Sequence, residues 1–280
     1  PTIGAEFGVK KISLGYEDYE VAKVLRSNEY RKLLRQSLFC GMSDGARTET
    51  FRRAKTGIIS HEQIYLTYEL SPEKASKMQK ELVIDLKSIF EIEEIPEADA
   101  KFKRVILLDD FSASGTSYLR FVNENGILKG KGKIAALYDG IFKNQELGKV
   151  FDINELKVYV VIYLCTQQAK DMIEGNFAEL EKIYGNKPEL ICLHVIPNSD
   201  KLNEIQDSNI LALCNKDEYY DAKALEDKHT GNDVRLGFGK CALPVVLSHN
   251  TPNNSVPLLW SYDTAKFQGL FPRIPRHIEL

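Results

Sequence analysis

The chain has 280 residues, enough for one large domain or two modest ones. Hydrophobic residues make up 43%, ordinary for a protein that buries a core, and the formal charge of −3 leaves no electrostatic footprint of nucleic-acid binding. No apolar run approaches bilayer-spanning length and no signal sequence is read at the start, so no membrane association is expected. Cys40, Cys165, Cys192, Cys214 and Cys241 are scattered and fit no zinc spacing. Cys165 and Cys192 lie in apolar runs and are expected to be buried and reduced, which places the chain in a cytoplasmic setting.

In chain order, Val21, Val24, Leu25, Leu33 and Leu34 recur at helical spacing and predict a helix within 16–36. The stretch "LFCGMSDGARTETFRRA" (38–54) reads as strand, turn and helix, and Arg52, Arg53 and Lys55 form a solvated basic cluster. A better-signalled helix follows, with Ser71 as N-cap, Pro72 at its first position, and Ala75, Met78, Leu82, Leu86 and Ile89 on one face. The acidic "EIEEIPEADAK" is a connection.

From Arg104 the character changes. "VILLDD", "KIAALYDG", "KVYVVIYLC", "ELICLHVIP" and "LPVVLSHN" are short, continuously apolar runs, the pattern of parallel strands covered on both faces. Helices are predicted between some of them, over 117–125 and over 168–184 with Met172, Ile173, Phe177 and Leu180. Lys129, Lys131 and Lys133 read as solvated surface lysines. The alternation predicts an α/β fold with a doubly wound, mainly parallel sheet. Residues 1–100 are expected to form a helical part packed on a core of residues 101–280, with a polar insertion near 198–236.

Ligands of open parallel sheets bind beyond the carboxyl ends of the strands, where the run Val105–Leu108 delivers Asp109 and Asp110 as its first exposed residues. Neighbouring residues of an extended chain point to opposite sides, so two acids there reach different parts of a ligand or its metal. Ser112, Ala113, Ser114, Gly115, Thr116 and Ser117 follow, small enough to leave backbone amides accessible. A helix starting near Ser117 would add its free N–H groups to an anion site. The alternative is a strand ending in two solvated aspartates and a helix cap.

"VILLDDFSASGTS" (105–117) resembles the signature of the type I phosphoribosyltransferases that binds 5-phosphoribosyl 1-diphosphate (PRPP). The resemblance implies that Asp109 and Asp110 face the ribose hydroxyls as catalytic carboxylates, and that Ser112 to Ser117 hold the 5-phosphate. It also implies Mg²⁺ bound mostly by diphosphate and ribose oxygens, with Asp109 and Asp110 orienting it. Purine-salvage members commonly carry Asp where Ala113 stands; alanine cannot move a proton, which argues against purine-base salvage here. Ser114 replaces the usual threonine and keeps a hydroxyl.

Two further stretches admit two readings each. In "SDGARTETFRR", Ser43, Gly45 and Arg47 can serve a diphosphate, or Asp44 or Thr48 simply caps a helix. In "LSHNTPNNSVPLLW" (247–260), Asn250, Asn253 and Asn254 can read a base edge with Trp260 stacked on it, or the stretch is a Pro/Asn turn with Trp260 in a core. "GFGKCALPVVLSHNTPNNSVPLLW" (237–260) looks like the C-terminal signature of a phosphoribosyltransferase-like group associated with bacterial conflict systems, to which "SDGARTETFRR" is also similar. His194, within an apolar run, is expected to be a satisfied core residue; His61, His229 and His277 are expected to be exposed, and His249 stands beside the Asn-rich turn.

The expected activity is Mg²⁺-dependent phosphoribosyl transfer from PRPP to a nitrogen acceptor, releasing diphosphate, in a defence effector with a protein partner. The alternative is a regulatory module that senses PRPP or a nucleotide without turnover. Direct nucleic-acid binding is not indicated.

Overall fold

The run that ends in the acid pair is the middle strand of the molecule. The computed structural model describes residues 20–54, 58–219, 234–261 and 267–272. In it β3 (Arg104–Ser112) centres a five-stranded parallel sheet of order β2-β1-β3-β6-β7, with β1 (Ser37–Gly41), β2 (Ile64–Tyr65), β6 (Lys157–Thr166) and β7 (Glu189–Ile196). β1 is paired in parallel on both sides, Phe39 facing Ile64 of β2 and Ile106 of β3. Every residue of β1 and each of Arg104–Asp109 is buried, which is why these strands read as unbroken apolar runs. Two strands of the sheet thus come from the first hundred residues.

The chain divides into two compact units. The first comprises Pro1–Asp110, Ser117–Ile162 and Glu174–Ile191; the second comprises Phe111–Thr116, Tyr163–Ile173 and Cys192–Leu280.

In the first unit, Leu33, Phe39, Ala46, Ile64, Ile106, Leu108 and Tyr159 form one continuous core cluster. The helix expected over 16–36 is two helices, α1 (Val21–Arg26) and α2 (Asn28–Arg35), and residues 16–19 lie outside the described residues. Ser27 separates them by turning extended (φ −65°, ψ 147°) and accepting from the Tyr30 amide, so the serine caps α2 rather than continuing α1. The stretch 38–54 is strand, turn and helix as expected, ending in α3 (Thr48–Ala54). In α4 (Pro72–Phe90) the Ser71 hydroxyl accepts from the Lys74 amide, and Ala75, Met78, Leu82 and Leu86 are buried. α4 packs on α2. Ser71→Ala is expected to cost about 1 kcal/mol of stability, read as a lower urea midpoint.

Two segments of this unit differ from expectation. Residues 117–125 are a turn and the first arm of a hairpin, in which β4 (Arg120–Glu124) pairs antiparallel with β5 (Ile127–Lys131). Asn125 and Gly126 close it with φ of 55° and 82°, the left-handed pair that an Asn-Gly turn accommodates with little strain. "KIAALYDG" belongs to a helix, α5 (Lys133–Lys143), because Ile134, Leu137, Tyr138 and Ile141 recur every three or four residues and are buried together. A short α6 (Gln145–Gly148) follows, capped by Asn144.

β6 runs directly into α7 (Gln167–Tyr184), as its periodicity predicts. β7 is an edge strand, and there His194 is exposed and Cys192 half-buried, not core residues as expected. The edge position leaves Leu193 and Val195 exposed as well. Cys165 is buried.

In the second unit the polar excursion contains α8 (Ser208–Cys214); residues 220–233 lie outside the described residues, as do Lys55, His229 and His277. "LPVVLSHN", expected as a strand, forms only isolated bridges, because Leu247 and Asn250 exchange backbone hydrogen bonds and reverse the chain. Trp260 ends α9 (Pro257–Trp260) fully buried, its indole N–H donating to the Ser255 carbonyl at 2.6 Å, which leaves no ring face for a base. Among the described residues no helix is long and apolar enough to cross a membrane.

Candidate functional site

The sheet order reverses at β1: β2 lies to one side of it and β3 to the other. In open parallel sheets this is where the connections diverge and leave a crevice beyond the carboxyl ends of the two central strands. β1 and β3 deliver their ends together there, since the Met42 amide extends the ladder to the Leu108 carbonyl at 2.9 Å. Past this point stand Ser43–Arg47 after β1 and Asp109–Asp110 of β3, all within the first unit; the strand does not end at Leu108 as expected but runs on beyond its pairing with β1.

The two acids are not equivalent. Asp109 is 1% exposed, against the expectation that both would stand at the surface. Its Oδ1 accepts from the Ser43 hydroxyl and, at 3.1 Å, from the Asp110 amide. Its Oδ2 accepts from the Tyr118 hydroxyl at 2.6 Å and from the Lys133 ammonium at 3.2 Å. A carboxylate offers about four lone-pair sites, so these donors use its full capacity. Burial of a charge is tolerable only with such pairing, and the partners supply it.

Lys133 also lies over the Tyr118 ring, 5.1 Å from the centroid. Sequence reasoning grouped it with Lys129 and Lys131, which do pair with Glu124 at the surface. No spacing in the chain announces that Lys133 turns inward. The hairpin causes it: the Lys133 and Ile134 amides donate to the Ser117 and Tyr118 carbonyls, so α5 begins beside the end of β3.

Asp110 is half-buried and its carboxylate lies against Gly45. A Cβ added at Gly45 would fall 2.5 Å from Oδ2 of Asp110, so any larger residue would displace the carboxylate from this place. Arg47 is exposed and left-handed at φ 48°, and its carbonyl accepts the Phe51 amide as α3 begins. The glycine and the arginine thus stand at the loop after the first strand of the sheet, next to the acid pair.

The last two residues of β3 and the loop after it, Phe111–Thr116, belong to the second unit. Ser112, Ala113, Ser114 and Gly115 are buried, Thr116 is half-buried, and Ser117, already in the first unit, is exposed. Gly115 has φ 75°, and a Cβ on it would meet the Ala169 carbonyl at 2.9 Å. Ser114 and Thr116 share a hydroxyl hydrogen bond of 3.0 Å, and the Thr166 hydroxyl donates to the Ala113 carbonyl. The Ala113 methyl, 2% exposed, packs with Cys241 and Leu243. An acid at this position would be buried in an apolar cluster, so alanine suits the packing as well as lacking the proton. No helix starts at Ser117 to support an anion.

In the C-terminal turn, the Asn254 amide donates to the Phe238 carbonyl at 2.9 Å and braces the chain, while Asn250 is exposed and Asn253 half-buried. Gly237, at φ 74°, passes so close to Asn254 that a Cβ would lie 2.2 Å from its carbonyl oxygen. Burial pushes the Cys241 thiol up, more than the Asn254 amide and Lys201 lower it, so this cysteine is a packing residue rather than a nucleophile.

Among the described residues no three His, Cys, Asp or Glu side chains cluster to hold a metal ion. The PRTase-CE family model matches residues 17–273. No curated protein matches the chain, and no solved structure does.

Proposed function

Because the chain belongs to the PRTase-CE family, a phosphoribosyltransferase-like family, we propose that it binds PRPP with Mg²⁺ and transfers the phosphoribosyl group to a nitrogen acceptor, releasing diphosphate. The observation that carries this reading is the acid pair of β3 just past its pairing with β1, set at the reversal of strand order beside the Ser43–Arg47 loop. The acid pair stands at the ribose end. Carboxylate near the sugar favours the positive charge that develops as the bond to diphosphate breaks. The Arg47 guanidinium of the Ser43–Arg47 loop is suited to the diphosphate. Ser112 to Ser117 take the 5-phosphate, with Thr116 and Ser117 as the accessible hydroxyls. When bound, Mg²⁺ supplies charge neutralisation for the leaving diphosphate. The conflict-system role and its protein partner, implied by the family resemblance, belong to the same proposal.

A second reading is favoured by Ala113. Its burial among apolar side chains leaves that position without a proton for an acceptor, as a sensor of PRPP that performs no turnover would allow.

Equilibrium dialysis of PRPP in the presence of Mg²⁺ is expected to give saturable binding. Diphosphate release on adding nucleobases, nucleotides or amines supports transfer, whereas binding without release across all of them supports the sensor. Absence of binding overturns both.

A further inference from the structure

We infer that Asp109 is the positioning residue of the acid pair, held by Lys133 and Tyr118 so that Asp110 alone meets the sugar; this rests on the PRPP reading above. Asp109 is bonded to the two groups that fix where Asp110 stands. One is the Asp110 amide itself, at 3.1 Å, which sets the peptide plane from which the neighbouring carboxylate departs. The other is the Ser43 hydroxyl, two residues before the glycine against which the Asp110 carboxylate rests. On its opposite oxygen Asp109 takes Lys133 and Tyr118, which also touch each other, the ammonium lying 5.1 Å from the ring centroid. Lys133 also neutralises the buried charge. Without it, two adjacent carboxylates would repel one another and compete for the same cation. With it, the charge of Asp109 is balanced within the protein. Asp109 then has no lone pair left for a ribose hydroxyl or Mg²⁺ unless one of these bonds breaks.

Calorimetric titration with ribose 5-phosphate and with 2-deoxyribose 5-phosphate tests this, because a purely structural role would change stability but not the preference between the two sugars. The wild-type chain is expected to prefer the ribose form by about tenfold, the scale of one hydrogen bond to a charged group. Asp110→Asn removes that preference. Lys133→Met is expected to bring it below about twofold while inorganic diphosphate still binds, and Lys133→Arg to restore it. Should Lys133→Met fail to fold, Tyr118→Phe, which removes one hydroxyl, is expected to reduce the preference in the same direction. The inference is overturned if the ribose preference survives in Lys133→Met, or in Tyr118→Phe where that variant decides, while Asp110→Asn abolishes it. If the wild-type chain binds neither sugar phosphate, the PRPP reading itself fails, and the inference with it.

Discussion

Asp109→Ala is expected to destabilise the first unit by about 3 kcal/mol, seen as a lower calorimetric midpoint and a lower urea midpoint by circular dichroism. The substitution removes the acceptor for the Tyr118 hydroxyl, the Lys133 ammonium, the Ser43 hydroxyl and the Asp110 amide at once. Breaking a buried charged pair from one side leaves the other partner uncompensated, which typically costs 3–5 kcal/mol. The lower end of that range applies, because the Lys133 side chain keeps 21% of its exposure and can recover water. The Tyr118 hydroxyl, on a residue 2% exposed, cannot. Asp109→Asn keeps one accepting oxygen but turns an amide N–H toward the donors on the other, so a loss of about 2 kcal/mol is expected. A midpoint unchanged in both variants would mean that the four bonds contribute nothing net.

The opposite pattern is expected one residue on. Asp110→Asn should weaken PRPP binding by about 100-fold, since a hydrogen bond to a charged group is worth about 1.5–3 kcal/mol and the cation loses its protein carboxylate as well. Stability should change by no more than about 0.5 kcal/mol, because the side chain is only half-buried, in the part of β3 that runs past its pairing with β1. Gly45→Ala approaches the same result from the facing side. Its Cβ would stand 2.5–2.6 Å from all three carboxyl atoms of Asp110, so the carboxylate must swing away. The backbone itself accepts alanine, as Gly45 is not among the glycines at positive φ. A tenfold or greater loss of affinity is expected, with the urea midpoint close to that of the wild-type chain.

These two expectations separate residues that look identical in sequence. "DD" at a strand end announces a site, and the apolar run before it announces the strand, because burial on both faces requires continuous apolar character. The caps of α4 and the periodicity of α7 are legible for the same reason: local spacing reports local structure. The difference between Asp109 and Asp110 is not local. It is set by donors at positions 43, 118 and 133, brought together by a hairpin and a parallel ladder, and no window of sequence contains them all.

Other differences trace to particular competing signals. The helix expected after Ser117 yields to Asn125–Gly126, whose left-handed pair is the stronger local instruction and makes a hairpin of the flanking residues. "KIAALYDG" reads as a strand because its apolar residues are dense, yet their three- and four-residue recurrence is what the fold uses. The exposure of His194 and Val195 follows from β7 having a neighbour on one side only, a fact of topology absent from the strand's own composition. Trp260 joins the core of its own unit because its N–H finds the Ser255 carbonyl within five residues, so a buried indole leaves no unsatisfied donor.

The central claim is that the strand end at Asp109–Asp110 receives PRPP with Mg²⁺. Isothermal titration of PRPP into the wild-type chain and into Asp110→Asn, each with and without Mg²⁺, tests it most directly. Mg²⁺-dependent binding to the wild-type chain is expected, with a loss of about 100-fold in the variant at unchanged thermal midpoint. Equal affinity in the two chains, or no heat of binding in either, would contradict it.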